Sequence, residues 1–423
     1  MRGRPNRLTF RGKLTILVAL AVPLVWVFLF FGPKRESLIP NIENKYAPPE
    51  VLLNPPVEES NWTGPKSGLR VFPSPPGPLS VPGPLFVEYT FSRELMQKVF
   101  GLLSKNRVAL GHIIVMEPES GKLLAYASTN TAKFAPQRTY PAASLVKVVT
   151  TAAALEETPE VLGQSCIYNG DPYRLRRRHI ETNKGRKVSL RKALALSYNQ
   201  CFARLAVHHL GSTQLLTYLD RFGLLESPAL AHEAGLVLDP GVDKLALGKL
   251  GSGLDGLRIT PLHGVRLAAT LARGRLVTPW WVARVEDGFG QSLKISRPAA
   301  RLVLSESRTR KLREMLTDTT KKGTARRAFR TRRGKPLLQG LSVAAKTGSL
   351  SGSNPSGRYE WFVGVAPVDR PRVALAVLVV QGDLYWASAS QLAAEVLKIL
   401  FCPKGVCSAQ GIKRFSTDSV KER

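Results

Sequence analysis

Apolar positions fall along this chain in blocks of different period, and the blocks predict its elements. In "GHIIVMEPESGKLLAYAS", residues 111–128, two apolar runs flank the turn-rich "EPESGK", the pattern of a β-hairpin. "YPAASLVKVVTTAAALEE", residues 140–157, reads as an apolar helix that begins with Ser144 and carries Lys147 one turn later. Helical spacing continues from Leu190 to about Phe222. Further on, "LSVAAKTGSLSG" and "RYEWFVGVAPVDRPRVALAVLVVQG" supply three β-rich runs, with "VDRP" turning between the last two. "ASASQLAAEVLKIL" closes the pattern with a helix ending at Leu400. Strands, then helices, then strands and a final helix predict an α+β domain with an antiparallel sheet rather than alternating βαβ units.

The first 84 residues follow neither period. Leu14–Gly32, "LTILVALAVPLVWVFLFFG", has no charged residue, and as a helix it is about 28 Å long, enough to cross a bilayer. Arg2, Arg4, Arg7, Arg11 and Lys13 precede it with no acidic residue, so the positive-inside rule predicts residues 1–13 as a cytoplasmic tail and places everything after the span outside. "LFFGPKRES" offers no small-residue cleavage site, so residues 14–32 are expected to stay as an anchor. Residues 33–84 contain "APPE", "NPP" and "PSPPGPLSVPGP" without apolar periodicity, the composition of a semi-extended spacer. The folded domain is expected over 85–402, followed by a tail, 403–423.

Charge then narrows the partners. The chain has 423 residues, 61 Lys and Arg against 31 Asp and Glu, and a formal net charge of +30. Such an excess suggests a polyanionic partner. Outside a membrane, that means an anionic envelope polymer or lipid headgroups rather than nucleic acid. The basic run 173–187 reads as a solvated loop, whereas 321–335, just ahead of the "AAKTGS" strand, either does the same or lines the approach to a site. The six histidines show no metal-ligand spacing, so no metal or cofactor is expected.

Chemistry enters with Ser144 and Lys147. Residues three apart on a helix share a face, and an amine hemmed in by Val146, Val148 and Val149 loses affinity for its proton and becomes a base for a serine. The plain alternative is a helix-capping serine beside a surface lysine. Two more triplets bear on the choice: Ser197-Tyr198-Asn199, and Lys346-Thr347-Gly348 followed by Ser349. An S-x-x-K is expected about twice by chance in a chain this long, and a second one does occur at Ser189–Lys192, as a second S-x-N does at 128–130. These fail on context: the first opens a helix five residues before Ser197, and the other precedes both serines. What is specific is the ordered set, with S-x-x-K on an apolar helix, S-x-N in a helical region and K-T-G closing an apolar strand.

In that set the sequence resembles the penicillin-binding proteins. Residues 111–128 look like the strand pair that opens their transpeptidase domain, "GSGLDGLRITPLHGVRLAATLARG" like the stretch between the second and third motifs, and "FVGVAPVDRPRVALAVLV" like the strands after K-T-G. The likeness covers about residues 85–402, without room for a glycosyltransferase domain or the long pedestal that many larger members carry. It implies an antiparallel β-sheet flanked by helices, with an inserted all-helical subdomain. It also implies a peptidoglycan D,D-transpeptidase of the bacterial cytoplasmic membrane, its catalytic domain outside, acylated on Ser144 by a D-Ala-D-Ala stem peptide, bound by β-lactams and working beside a glycosyltransferase partner.

The implied roles follow residue by residue. Ser144 attacks and Lys147 takes its proton; Ser197 relays a proton towards the leaving amine, and Asn199 hydrogen-bonds the substrate. The Ser144 and Ser349 amides face the oxyanion. Lys346 and Thr347 receive a carboxylate, and Gly348 lets the substrate lie along its strand. Water in place of an amine acceptor would make the enzyme a carboxypeptidase or a β-lactamase. A class A β-lactamase would have aspartate at 198, where Tyr198 stands, and a later glutamate; Glu226 and Glu233 read as solvated carboxylates. A penicillin-responsive receptor would need more cytoplasmic chain than residues 1–13, and a non-catalytic scaffold would not need the intact triplets. In an oxidising compartment the four cysteines allow three full pairings; Cys402 with Cys407 and Cys166 with Cys201 are the expected disulfides, and four buried thiols the alternative.

Overall fold

The computed structural model describes residues 55–62, 69–72, 85–292, 295, 297–382 and 386–416. The expected tail 1–13 and span 14–32 lie outside the described residues, among which no helix is long and apolar enough to cross a membrane.

In chain order the elements that place the site are β1 (Leu85–Tyr89), α1 (Arg93–Lys105), β2 (Gly111–Met116), β3 (Leu123–Thr129), α2 (Val146–Glu157), β4 (Ser165–Tyr168), β5 (Arg186–Ser189), α3 (Leu190–Leu196), α4 (Asn199–Leu205), α5 (Gly211–Arg221), α6 (Lys244–Ser252), α7 (Pro261–Arg273), α8 (Glu306–Lys321), β6 (Ala344–Ser353), β7 (Ser356–Ala366), β8 (Val373–Gln381) and α9 (Ala389–Phe401). The central sheet has the order β6-β7-β8-β2-β3 and is antiparallel throughout. The hairpin, the three late strands and the closing helix are those the apolar pattern predicts.

Every position of β2, and every position of β8 except Gln381, is buried, so both faces of the sheet are covered there and these two strands read as continuous apolar runs. On one face α7 lies close because Gly264 has no side chain: a Cβ there would come 2.9 Å from the Trp361 ring and 3.5 Å from Ala376. On the other face Leu103 of α1 approaches Gly111 and Val379, and α9 packs against α1. Helices α2 to α6 form a lobe beside β6, and α8 joins the two by packing on α2, α3 and β6.

The structure departs from the sequence reading in four places. The inserted lobe is helical except for two small sheets, one the β4–β5 ribbon around the basic run, the other pairing Tyr140–Pro141, Leu257–Ile259 and Leu236–Val237. The helical pattern from Leu190 is not one helix: it breaks at Ser197 and passes through a π-helical segment, Ala206–Leu210, which holds His208 and His209. Part of the expected spacer is packed on the domain, with Trp62 and Val57 buried and Leu69–Phe72 pairing antiparallel with β1. Part of the expected tail is packed too, with Ile412 and Phe415 buried. The cysteines form the pairs Cys166–Cys201, Cα atoms 5.5 Å apart, and Cys402–Cys407.

Candidate active site

Ser144 sits in a 3-10 turn, Ala143–Leu145, that runs into α2. Ala143 has φ +50°, a left-handed backbone that costs a non-glycine residue about 1 kcal/mol or more. Gly253, at φ +69° after α6, holds it there: a Cβ on Gly253 would lie 2.0 Å from the Ala143 carbonyl oxygen. On the other side a Cβ on Gly348 would lie 3.3 Å from the Ser144 amide nitrogen. The start of α2 is therefore wedged between α6 and β6.

Lys147 is wholly buried. Its Nζ lies 2.6 Å from Ser144 Oγ, 2.7 Å from Asn199 Oδ1 and 2.6 Å from the Ser252 carbonyl oxygen. Burial, and secondarily the charge of Lys346, hold its pKa well below the ordinary lysine value. A neutral amine has two hydrogens and one lone pair. Asn199 Oδ1 and the Ser252 carbonyl can only accept, so they take the two hydrogens and leave the lone pair for the Ser144 hydroxyl. Asn199 is held from behind by Nδ2, which donates to the Tyr173 carbonyl at 2.7 Å.

The second serine enters through the helix break. Ser197 ends α3 with φ 61° and ψ 40°, a turn that stops the helix and lets α4 begin with Asn199 facing Lys147. Lys346, also wholly buried, donates from Nζ to Ser197 Oγ at 2.8 Å and to the Thr347 carbonyl at 2.7 Å. Burial pulls its pKa down to about 7. Its amine is thus turned to Ser197, which itself lines the cleft.

The cleft above these groups has a volume of about 890 Å³ and is lined by Ser144, Ser197, Asn199, Thr347, Gly348 and Ser349. β6 ends the sheet, so its outer edge is open to strand addition beside the cleft. Other residues line it too: Tyr173, Arg358 and Glu360, which the sequence reading did not single out as site residues, and Thr324 and Arg327. The basic run 321–335 is the signal that pointed at Thr324 and Arg327. The second S-x-x-K lies elsewhere: Ser189 is exposed and accepts from the Lys192 amide as the cap of α3. Glu226 is half-buried and accepts from Arg266 at 2.9 Å, while the exposed Glu233 accepts from the Thr139 amide at 2.7 Å. Neither lines the cleft.

A model of the penicillin binding protein transpeptidase domain matches residues 111–401. The chain belongs to this family. Peptidoglycan D,D-transpeptidase PbpA of Mycobacterium tuberculosis (strain H37Rv) is 28% identical over 334 residues, 68% of this chain and 65% of the relative. Peptidoglycan D,D-transpeptidase FtsI of Escherichia coli (strain K12) is 25% identical over 302 residues, 65% of this chain and 47% of the relative. The chain thus spans less than two thirds of the length of these relatives. An imipenem acyl-enzyme structure of penicillin-binding protein A from M. tuberculosis superposes with a TM-score of 0.62 at 24% identity, covering 74% of this chain and 78% of that one. That likeness is one of fold.

Proposed function

We propose that this penicillin-binding transpeptidase domain is a serine D,D-transpeptidase, acylated on Ser144 by the D-Ala-D-Ala end of a peptidoglycan stem peptide and resolved by an amine of a neighbouring stem. The observation that carries the reading is Lys147 Nζ, 2.6 Å from Ser144 Oγ, with acceptors for both of its amine hydrogens. Lys147 takes the serine proton as Oγ attacks the carbonyl carbon. The Ser144 and Ser349 amides bind the oxyanion. Ser197 passes a proton to the leaving D-Ala amine, and Lys346 beside it restores that proton. The products are an ester on Ser144 and free D-Ala. An incoming amine then forms the cross-link and returns the hydroxyl. The PbpA and FtsI names, and the imipenem acyl-enzyme of a protein with this fold, support the class of chemistry.

Amine rather than water as the second nucleophile is supported by Glu226 and Glu233, which are engaged with Arg266 and Thr139 away from the cleft. The reading includes residues 14–32 as a single membrane anchor, the domain outside the cytoplasmic membrane, and a glycosyltransferase supplying the glycan.

The test is labelling of the protein with a fluorescent penicillin. Wild type and Ser189→Ala should label, and Ser144→Ala should not. Label should persist for many minutes, as expected of a transpeptidase, whereas release within seconds would favour the β-lactamase alternative. A folded wild type that takes no label would sink the assignment.

A further inference from the structure

The basic run 173–187 folds around a pocket that the proposed chemistry does not use. The pocket lies in the helical lobe, has a volume of about 510 Å³, and is lined by Arg174, Arg176 and Arg178 together with Asn169, Asp171 and His179. Two side chains one turn apart on α4 fix its backbone from beneath. Gln200 Nε2 donates to the carbonyls of Asn169 and Asp171 at 2.8 Å and of Arg174 at 3.0 Å, and Arg204 Nη1 donates to the carbonyls of Ile180 and Thr182 at 2.5 and 2.6 Å. Buried His179 ties the stretch together, its Nδ1 2.9 Å from the Arg174 carbonyl. The arginines are thus carried on ordered backbone, which lowers the cost of gathering them around a ligand.

All three arginines are exposed. Among the described residues none of their guanidiniums has an ion pair or a hydrogen bond, although Arg177 between them reaches Asp243 at 3.1 Å. Among the described residues that line the pocket, Asp171 is the one carboxylate, and it accepts from the Tyr173 amide at 2.9 Å. A carboxylate has two oxygens, which a single guanidinium fork satisfies. Three guanidiniums around one cavity match a group with more oxygens and more charge. We propose that this pocket binds a phosphate group of a phosphodiester polymer. Position and continuity select a polymer over a bilayer surface. The chain enters the domain at Val57 against β3, whereas the lobe lies beside β6, the opposite edge of a five-stranded sheet, and four strand spacings alone separate the edges by about 19 Å. Exposed Lys184, Arg186 and Lys187 continue the positive charge along the adjoining ribbon, which Asn169 Nδ2 joins to the pocket by donating to the Lys184 carbonyl. The inference does not rest on the transpeptidase reading.

The test is calorimetric titration of the full chain in neutral detergent, at fixed ionic strength, with inorganic diphosphate and with tricarballylate, which carries similar charge on carboxylates. Wild type should bind diphosphate the more tightly. Changing Arg174, Arg176 and Arg178 together to Gln should weaken diphosphate by at least about tenfold, the loss of one charge-assisted hydrogen bond or more. Changing Arg332, Arg333 and Lys335 together to Gln removes as much charge from another exposed segment and should leave the affinity at the wild-type value. Equal weakening in the two triple variants would mean attraction by net charge alone, and equal affinity for tricarballylate would remove the phosphate assignment; either overturns the proposal, as does a wild type that binds no diphosphate. Poly(glycerol phosphate) should displace diphosphate from wild type. Displacement by phosphatidic acid added to the micelles, but not by the polymer, would make this a bilayer site and overturn the choice of partner. Both triple variants should label with fluorescent penicillin at the wild-type rate; a wild type that takes no label removes the transpeptidase reading and leaves the phosphate site standing.

Discussion

At the scale of one residue, the site depends on which partner is charged. Asn199 Oδ1, 2.7 Å from Lys147 Nζ, is a neutral acceptor: it fixes the amine without favouring the ammonium. Asn199→Asp keeps the shape and adds a charge. A carboxylate at that distance stabilises Lys147 in its protonated form and raises its pKa, reversing part of the burial effect. Acylation of the variant at pH 7 should therefore fall by at least about tenfold, one pH unit of basicity, and should recover as pH is raised through the new, higher Lys147 pKa. Acylation rates from pH 6 to 10 check this. A deficit that is the same at every pH would mean instead that the Nδ2 bond to the Tyr173 carbonyl, lost in the same substitution, is what matters.

At the scale of elements, the break between α3 and α4 gives the site its second serine, and it also marks the limit of what could be read in advance. The triplets are legible because each is a local spacing: two side chains on one helical face, or three on one strand. Strands β2, β3 and β8 are legible because burial on both faces makes them nearly unbroken apolar runs. The break is not, since Leu190, Leu194 and Phe202 keep a helical spacing across it and Ser197 turns left-handed without a glycine to signal it. Tyr173, Thr324 and Arg358 are polar, lie in separate segments and meet only through the tertiary fold. Gln200 is hidden for the same reason. It is fully buried, its Nε2 donates to the carbonyls of Asn169, Asp171 and Arg174, and its Oε1 accepts from the Asn169 amide. It thereby clamps the loop that presents the Tyr173 carbonyl to Asn199, next to the Cys166–Cys201 disulfide. Gln200→Ala should cost about 2 to 4 kcal/mol in urea unfolding, from several hydrogen bonds lost inside the protein. It should also slow acylation of the folded protein severalfold. Acylation at the wild-type rate below the variant's own unfolding transition would show that the loop holds its place without Gln200.

At the scale of the whole molecule, the question is where the domain begins. Composition puts the boundary near Leu85, because proline-rich sequence has no apolar period from which to build a core. One tryptophan overrides that average. Trp62 is 1% exposed, its ring meets Phe91 edge-on at 5.5 Å between centroids, and its Nε1 donates to the Pro56 carbonyl at 2.7 Å. The same segment covers the far edge of the central sheet, where the Ser128 amide of β3 donates to the Val57 carbonyl at 2.9 Å. A chain beginning at residue 85 would leave that amide unpaired, the aromatic site empty and an edge strand open to other molecules. Compared with a chain beginning at residue 55, it should lose about 3 to 5 kcal/mol, the usual cost of deleting a buried tryptophan, and should aggregate more readily. Trp62→Ala in the longer chain should account for most of the loss. Urea unfolding of the three proteins separates the possibilities: equal midpoints for the two chains would mean that the segment rests on the domain without stabilising it, whereas a lower midpoint for the shorter chain would make residues 55–62 part of the fold that holds Ser144 in place.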